Sequence, residues 1–212
     1  MRRLSRSFFT KRSLIVAKKL LGCFLVRRIG KKLLIGRIVE TEAYPGPSDR
    51  ASHAFDGKVT ARNKIEYEKG GYVYIYLVYG MYWQLNITTG RAGYPECVLI
   101  RALEVSDKQN ATRDKKRKTQ NRNIISMSRV TFHMSPNVAN GPGKLCRWLK
   151  LGKSFYGENM ARSKRLWVAT DGSRIPPRAI AKGPRIGIDY AGPHYAKKPW
   201  RFWIKANPCI SR

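Results

Sequence analysis

The sequence predicts a single α+β domain, and three observations carry that expectation. Its 212 residues suit one domain with a full core. Segments with strand alternation dominate and helices are few, with mixed spacing between them. No internal repeat or linker divides the chain, and no apolar run reaches the roughly 18–20 residues of a membrane span. Hydrophobic residues make up 42% of the chain and aromatic residues 11%, which argues against a disordered polymer.

The elements follow in order. The start, MRRLSRSFFTKRSLIVAKKLL, is rich in Arg and Ser and free of acids. That composition suits a transit peptide, but Leu14, Ile15, Ala17, Leu20 and Leu21 keep helical spacing and lead straight into a strand, so an opening helix is preferred. Its expected N-cap is Ser13, and Gly22 ends it. CFLVRRI and KLLIGRIVETEAY read as strands joined at Gly30-Lys31. YPGPSDR is a loop, and ASHAFDGKVTARNKIEYEKGG continues it with at most one short helix. Residues 72–78 alternate strictly, Tyr79-Gly80-Met81 forms a hairpin tip, and 82–88 returns as its partner. CVLIRALEV (97–105) is apolar enough for a central strand. The stretch 106–123 is nearly devoid of apolar residues and reads as a basic insertion, helical or loop; 124–140 is ambiguous. NGPGKLCRWLKLG predicts a turn and short helix, and the C-terminal part predicts strands at 185–189 and 200–204.

Charge narrows the partner. There are 43 Lys+Arg against 13 Asp+Glu, a formal net charge of +30, which points to nucleic acid. The basic residues run the whole length without forming one amphipathic face, which makes a membrane surface the weaker partner. Cys23, Cys97, Cys146 and Cys209 show no C-x-x-C spacing and read as reduced thiols of an intracellular protein. The chain has no G-x-S-x-G and no phosphate-binding G-x-x-x-x-G-K-[ST] loop, and His53, His133 and His194 have no evident nucleophile partner.

The chemistry concentrates in two places. In the hairpin, Tyr72, Tyr74 and Tyr76 share one face with Gln84, Asn86 and Thr88, while Val73, Ile75, Leu77, Trp83, Leu85 and Ile87 share the other. Such a face can stack rings and bond polar edges; a cross-strand tyrosine ladder on a half-wet sheet explains the tyrosines equally well. Tyr79 and Met81 at the tip suit a wedge between stacked bases, or a tip folded back on the core. In RIVETEAYPGPSDRASH, Glu40 and Glu42 fall on one strand face, followed by Tyr44 and His53. Paired carboxylates there allow acid/base chemistry, or simple pairing with Arg and Lys. Glu42, Asp49, His53 and Asp56 lack a recognised metal-ligand spacing.

RIVETEAYPGPSDRASHA, YVYIYLVYGMYWQLNI, VLIRALE, GPGKLC and RIGIDYAG…AKKPWRFW occur in the same order in the alkyladenine (3-methyladenine) DNA glycosylases of the mammalian alkylpurine type. The resemblance runs from about Phe8 to the C-terminus. It implies a curved antiparallel sheet with surrounding helices and a protruding β-hairpin. It also implies a monofunctional enzyme, working as a monomer without metal or other cofactor, that flips alkylated or deaminated purines from duplex DNA and hydrolyses the N-glycosidic bond. An intracellular site is implied, cytoplasm and nucleoid in a bacterium and nucleus otherwise. By position, Glu42 resembles the general base and Arg101 its neighbour. Tyr44 and Tyr76 resemble the rings that sandwich the base, His53 the pocket edge, and Asn86 the block to the 2-amino group of guanine. The backbones of Ala51 and Ile186 correspond to contacts at the base edge. Tyr79, with Met81 and Tyr82 beside it, resembles the intercalating wedge. Thr60, Arg62 and Asn63 fall where the family approaches the DNA backbone. Where the family has histidine in its RVGVGHAG block, this chain has Tyr190.

The physical balance agrees with that resemblance. Flipping costs a few kcal/mol of stacking, and each base–aromatic stack returns roughly 1–3 kcal/mol. Electron-poor alkylated purines stack best on electron-rich faces. A non-catalytic nucleic-acid-binding protein and a metal-dependent nuclease are the competing readings, the first drawing on the KKRK run at 115–118.

Overall fold

The structure, a computed structural model, describes residues 1–105 and 137–211. The basic stretch 106–123, its KKRK run, and most of 124–140 lie outside the described residues.

The 13-residue strand β3 (Lys32–Tyr44) organises everything else. Its first half pairs with β2 (Phe24–Ile29) through a tight turn at Gly30 (φ 56°). Its second half is clasped between β6 (Cys97–Val105) and β9 (Arg201–Ile204). β6 pairs with β5 (Tyr82–Thr88), and β5 with β4 (Val73–Val78). Beyond β2 lie β7 (Leu166–Thr170) and β1 (Arg2–Arg3), and β8 (Ile180–Gly183) pairs with β9. All these pairings are antiparallel, in the order β1-β7-β2-β3-β6-β5-β4. The sheet is curled and carries few helices: a single α+β domain, as predicted.

A bulge in β3 sets the position of the site. Between Ile38 and Thr41 the register to β6 slips twice, leaving Val39 on one strand and Arg101 on the other between paired residues. Without the slip, Glu40 and Glu42 would continue the parity of Leu34 and Ile38, both in the main core. Because strand side chains alternate, one extra residue sends all that follow to the opposite face. Ala43 therefore joins the core, and the Thr41 hydroxyl donates to the Ala17 carbonyl (3.0 Å).

The core lies on the other side of that sheet. Val16, Ala17 and Leu20 of α2 (Ser13–Leu20) and Leu145 and Cys146 of α3 (Pro142–Trp148) pack on Ile38, Ile100, Leu85 and Ile87. Phe9, at the end of α1 (Arg6–Phe9), is buried in the same core, so the basic opening segment is built into the fold. Among the described residues no helix is long and apolar enough to cross a membrane.

Some expectations change. Ser13 is the first residue of α2 and not its N-cap; its N–H donates to Glu96 Oε2 (2.5 Å), a carboxylate placed at the positive end of the helix by the loop before β6. The strand expected at 185–189 does not form: Gly187 turns the chain at φ 76°, Arg185 is pulled into the interior, and the strand before β9 is Ile180–Gly183. β7 and β1 had no counterpart in the sequence reading. The segment after the ETEAY strand holds two short 3₁₀ turns, Phe55–Gly57 and Lys64–Tyr67.

Candidate active site

On the concave side, Tyr44, Ala51, His53, Tyr76, Asn86, Arg101 and Ile186 come together around a cavity of about 740 Å³. Six of the seven span β3 to β6, and Ile186 arrives from the far end of the chain.

Glu42 lies behind this wall, fully buried. Its Oε1 accepts from Arg101 Nη1 (3.1 Å) and from the Ile186 N–H (2.9 Å). Its Oε2 accepts from the Tyr44 hydroxyl (3.0 Å). Burial raises the Glu42 carboxyl above the ordinary range, and Arg101, the Ile186 amide and Tyr44 pull only part of that back. Arg101 spans both acids of ETEAY, with Nε 3.6 Å from Glu40 and 3.1 Å from the Ser211 hydroxyl. Glu40 also holds Arg201 (3.1 Å) and the Ser211 N–H (2.6 Å), so it is a structural anchor. The two acids stay on one strand face, both against Arg101, but differ in surroundings: Glu40 is held by Arg201 and Ser211 of the scaffold, and Glu42 abuts the cavity lining.

The hairpin supplies the aromatic wall. Val73, Ile75, Leu85 and Ile87 are buried in the core, while Tyr74 opposes Asn86 and Tyr76 opposes Gln84 on the other face. Tyr76 donates to Gln84 Oε1 (3.2 Å), and its ring lies 5.1 Å from that of Tyr74 and 4.7 Å from His53. His53 Nδ1 meets the Tyr74 hydroxyl at 2.5 Å. Partial desolvation and the nearby Arg62 charge lower the His53 pKa, which favours its neutral ring.

A buried ion pair fixes the remaining wall. Asp49 and Arg185, both fully enclosed in their side chains, join through two hydrogen bonds (2.5 and 2.8 Å), and Arg185 also donates to the Ala43 carbonyl (3.1 Å). The guanidinium lies over the rings of Tyr44 (4.7 Å) and Trp200 (4.9 Å). This clamp sets Ile186 against Glu42 and backs Tyr44. Ala51 lines the cavity, but its N–H is taken by Asp49 Oδ1 (3.1 Å) and its carbonyl accepts from Tyr190 (3.2 Å), the residue standing where the resembled family has histidine.

The tip stands clear of the core. Tyr79 is 86% exposed, Met81 66%, and Tyr82 is exposed beside them. Tyr79 (φ 52°) and Gly80 (φ 68°) both turn left-handed, and the Met81 N–H closes the turn on the Val78 carbonyl (3.1 Å). A non-glycine residue held at positive φ marks an over-determined turn.

Not every predicted contact residue reaches this surface. Asn63 is fully buried; its Nδ2 donates to the His53 and Lys58 carbonyls (2.9 and 2.8 Å), and its Oδ1 accepts from the Thr60 N–H and hydroxyl (2.6 and 3.0 Å). It shapes the loop and has no donor left for DNA, and the Thr60 hydroxyl is spent on it. Arg62 is exposed at the cavity. Of the four residues weighed as metal ligands, three are engaged separately, Glu42 with Arg101, Asp49 with Arg185 and His53 with Tyr74, and Asp56 is exposed.

Sequence reasoning missed Arg185, its partner role for Asp49, and Glu66. Glu66 lines the cavity, is only 1% exposed, and has an oxygen without a hydrogen-bond partner among the described residues. The available signal was scarcity: with only 13 acids, each is worth following.

Comparison with known proteins gives a consistent result. The family model for methylpurine-DNA glycosylase (MPG) matches residues 7–208. Relatives named as 3-methyladenine DNA glycosylases include one from Methanocella arvoryzae, 40% identical over 99% of this chain and 96% of its own length. Another, from Desulfitobacterium hafniense, is 41% identical over the whole chain and 99% of its own. The DNA-3-methyladenine glycosylase of Mus musculus is 38% identical over 99% of this chain and 61% of its own length.

Proposed function

The chain belongs to the methylpurine-DNA glycosylase family, and from that premise we propose that it flips alkylated and deaminated purines out of duplex DNA into the Tyr44–Tyr76 cavity and hydrolyses their glycosidic bond. It is a hydrolase of N-glycosyl bonds. The observation that carries the finer reading is Glu42: a buried carboxylate just behind the cavity wall, held by the lining residues Arg101, Ile186 (through its amide) and Tyr44.

Glu42, ionised, takes a proton from water as that water attacks C1′, and its charge stabilises the oxocarbenium-like state. Arg101 orients Glu42 and meets a backbone phosphate. Tyr44 and Tyr76 sandwich the base, with His53 at the edge and Asn86 obstructing the 2-amino group of guanine. Ala51 and Ile186 offer their remaining backbone acceptors to the base edge, and Arg62 contacts the DNA backbone. Tyr79, flanked by Met81 and Tyr82, fills the vacated stack. The enzyme acts as a monomer on DNA, in the cytoplasm and nucleoid of a bacterium or the nucleus otherwise.

The test is single-turnover incubation, without metal, of duplexes carrying one hypoxanthine and of methylated duplex DNA, followed by hot alkali. Alkali-dependent breaks and released 3-methyladenine are expected. DNA binding with no base released from either substrate favours the non-catalytic reading.

Tyr79→Ala is expected to slow excision from duplex by roughly 10–100-fold, the equivalent of one lost stack, and to leave excision from single strands little changed. Equal losses on both substrates would show that the ring is not a wedge. Non-specific DNA binding follows the net charge of +30. Contact with about 6–10 phosphates lowers affinity by about 10³–10⁵ between about 50 and 200 mM salt. A flat salt titration of binding would contradict this.

A further inference from the structure

Glu66 lines the cavity and has no part in the mechanism above. It sits in the 3₁₀ turn Lys64–Tyr67, and its carboxyl reaches the cavity beside the Cys97 thiol. Cys97 Sγ in turn lies 3.8 Å from Asn86 Oδ1, so Glu66, Cys97 and Asn86 form one polar strip across the cavity. Oε2 of Glu66 is buried and has no hydrogen-bond partner among the described residues. A buried carboxyl with an open oxygen and no cation against it is expensive as an anion and cheap as a neutral acid. The titratable groups that feel it are Tyr74 and Tyr76 of β4, Cys97 of β6, Tyr67 of its own turn, and Tyr156, all pushed upward; none supplies a positive charge. Arg62, exposed on the same cavity, influences Tyr74 and His53. Burial raises Glu66 to about 7, so near neutrality much of it carries a proton.

The chemistry of the substrate defines what such a group can do. A cationic alkylated purine leaves with the bond pair and becomes neutral. An uncharged purine leaves as an anion unless a proton reaches its ring. We propose that Glu66, as its neutral acid, bonds the edge of an uncharged purine in the cavity and donates that proton, so that it determines whether uncharged lesions are substrates. The proposal rests on the cavity being the base pocket. As the C1′–N9 bond breaks, its electron pair passes to the purine. The Glu66 proton moves to a purine ring nitrogen, the water oxygen bonds C1′, and the water proton passes to Glu42. The purine leaves neutral; Glu66 ends as carboxylate, Glu42 ends protonated, and exchange with solvent restores both.

The readout is the ratio of two single-turnover rate constants, for hypoxanthine and for 3-methyladenine, from about pH 6 to 9. The ratio cancels the titration of Glu42. In the unmodified chain it is expected to fall roughly tenfold per pH unit above about 7. In Glu66→Gln the amide can bond the base but cannot transfer a proton; the ratio is expected to be flat and about 10²-fold lower at acidic pH. A ratio independent of pH in the unmodified chain overturns the proposal with no variant needed. A fall that survives unchanged in Glu66→Gln overturns it as well. Release of 3-methyladenine with no hypoxanthine at any pH removes Glu66's role and leaves the glycosylase reading standing, whereas release of neither removes both.

Discussion

Glu42→Gln is expected to lower single-turnover excision by about 10³-fold or more, near the middle of what a general base contributes and worth about 4 kcal/mol of barrier. The size follows from how little else the change disturbs. Glutamine keeps the shape and one carbonyl oxygen, so it can still accept from the Ile186 N–H. Arg101 keeps Glu40 and the Ser211 hydroxyl as partners. Stability should move by about 1 kcal/mol or less, since no buried charge loses its last partner. The pH dependence has a definite sign. In the proposed role Glu42 works ionised, and its pKa is raised, so the rate on a cationic lesion is expected to rise with pH until it passes that elevated value and then to level. The gap between parent and variant should therefore narrow toward acid. Excision of 3-methyladenine near the parent rate by Glu42→Gln, with folding intact, would move the base to another residue.

How much of this was legible in the sequence depends on distance along the chain. The hairpin was readable in full, because alternation over 72–78 and 82–88 is local and the Val73/Ile75 and Leu85/Ile87 faces have one destination. The pairing of Glu40 and Glu42 on one face was readable too. The bulge that turns that face away from the core is visible only as a change of phase: Leu34 and Ile38 are apolar on even positions, then Val39 and Ala43 on odd ones. What escaped is tertiary. Arg185-Ile186-Gly187-Ile188 alternates like a strand, yet Asp49, 136 residues earlier, captures the arginine and prevents it. Nothing near Asp49 signals that partner. Glu66 lies in IEYEKGG, a stretch that reads as loop with at most one short helix; Tyr74, Cys97 and Tyr156, which come from distant segments, lie close enough to feel its charge. The same holds for Asn63, which the family resemblance put near the DNA backbone while its four side-chain hydrogen bonds serve the loop.

Asp49→Ala is expected to cost about 3–5 kcal/mol of stability, because it leaves the Arg185 guanidinium buried and unpaired. For a domain of this size that corresponds to a fall in Tm of roughly 10 °C. One further loss adds to it: the Ala51 N–H loses its acceptor. Arg185 Nε, without a partner among the described residues even in the parent, offers no fallback. The functional effect is separable from the thermal one. Arg185 carries Ile186, whose N–H helps hold Glu42, and it backs the Tyr44 ring whose hydroxyl holds the other Glu42 oxygen. Releasing it therefore loosens two of the three contacts that aim the base. Replacing both partners, Asp49→Leu with Arg185→Met, removes the charges together and should restore most of the stability, since an apolar pair of similar volume often matches a buried ion pair. It should not restore excision, because methionine lacks the bond to the Ala43 carbonyl that anchors the 185–188 segment. Thermal melts and single-turnover rates on the three chains check both halves. Recovery of the rate along with Tm in the double variant would show that the clamp serves folding alone, and that Glu42 is aimed by Arg101 and its own strand.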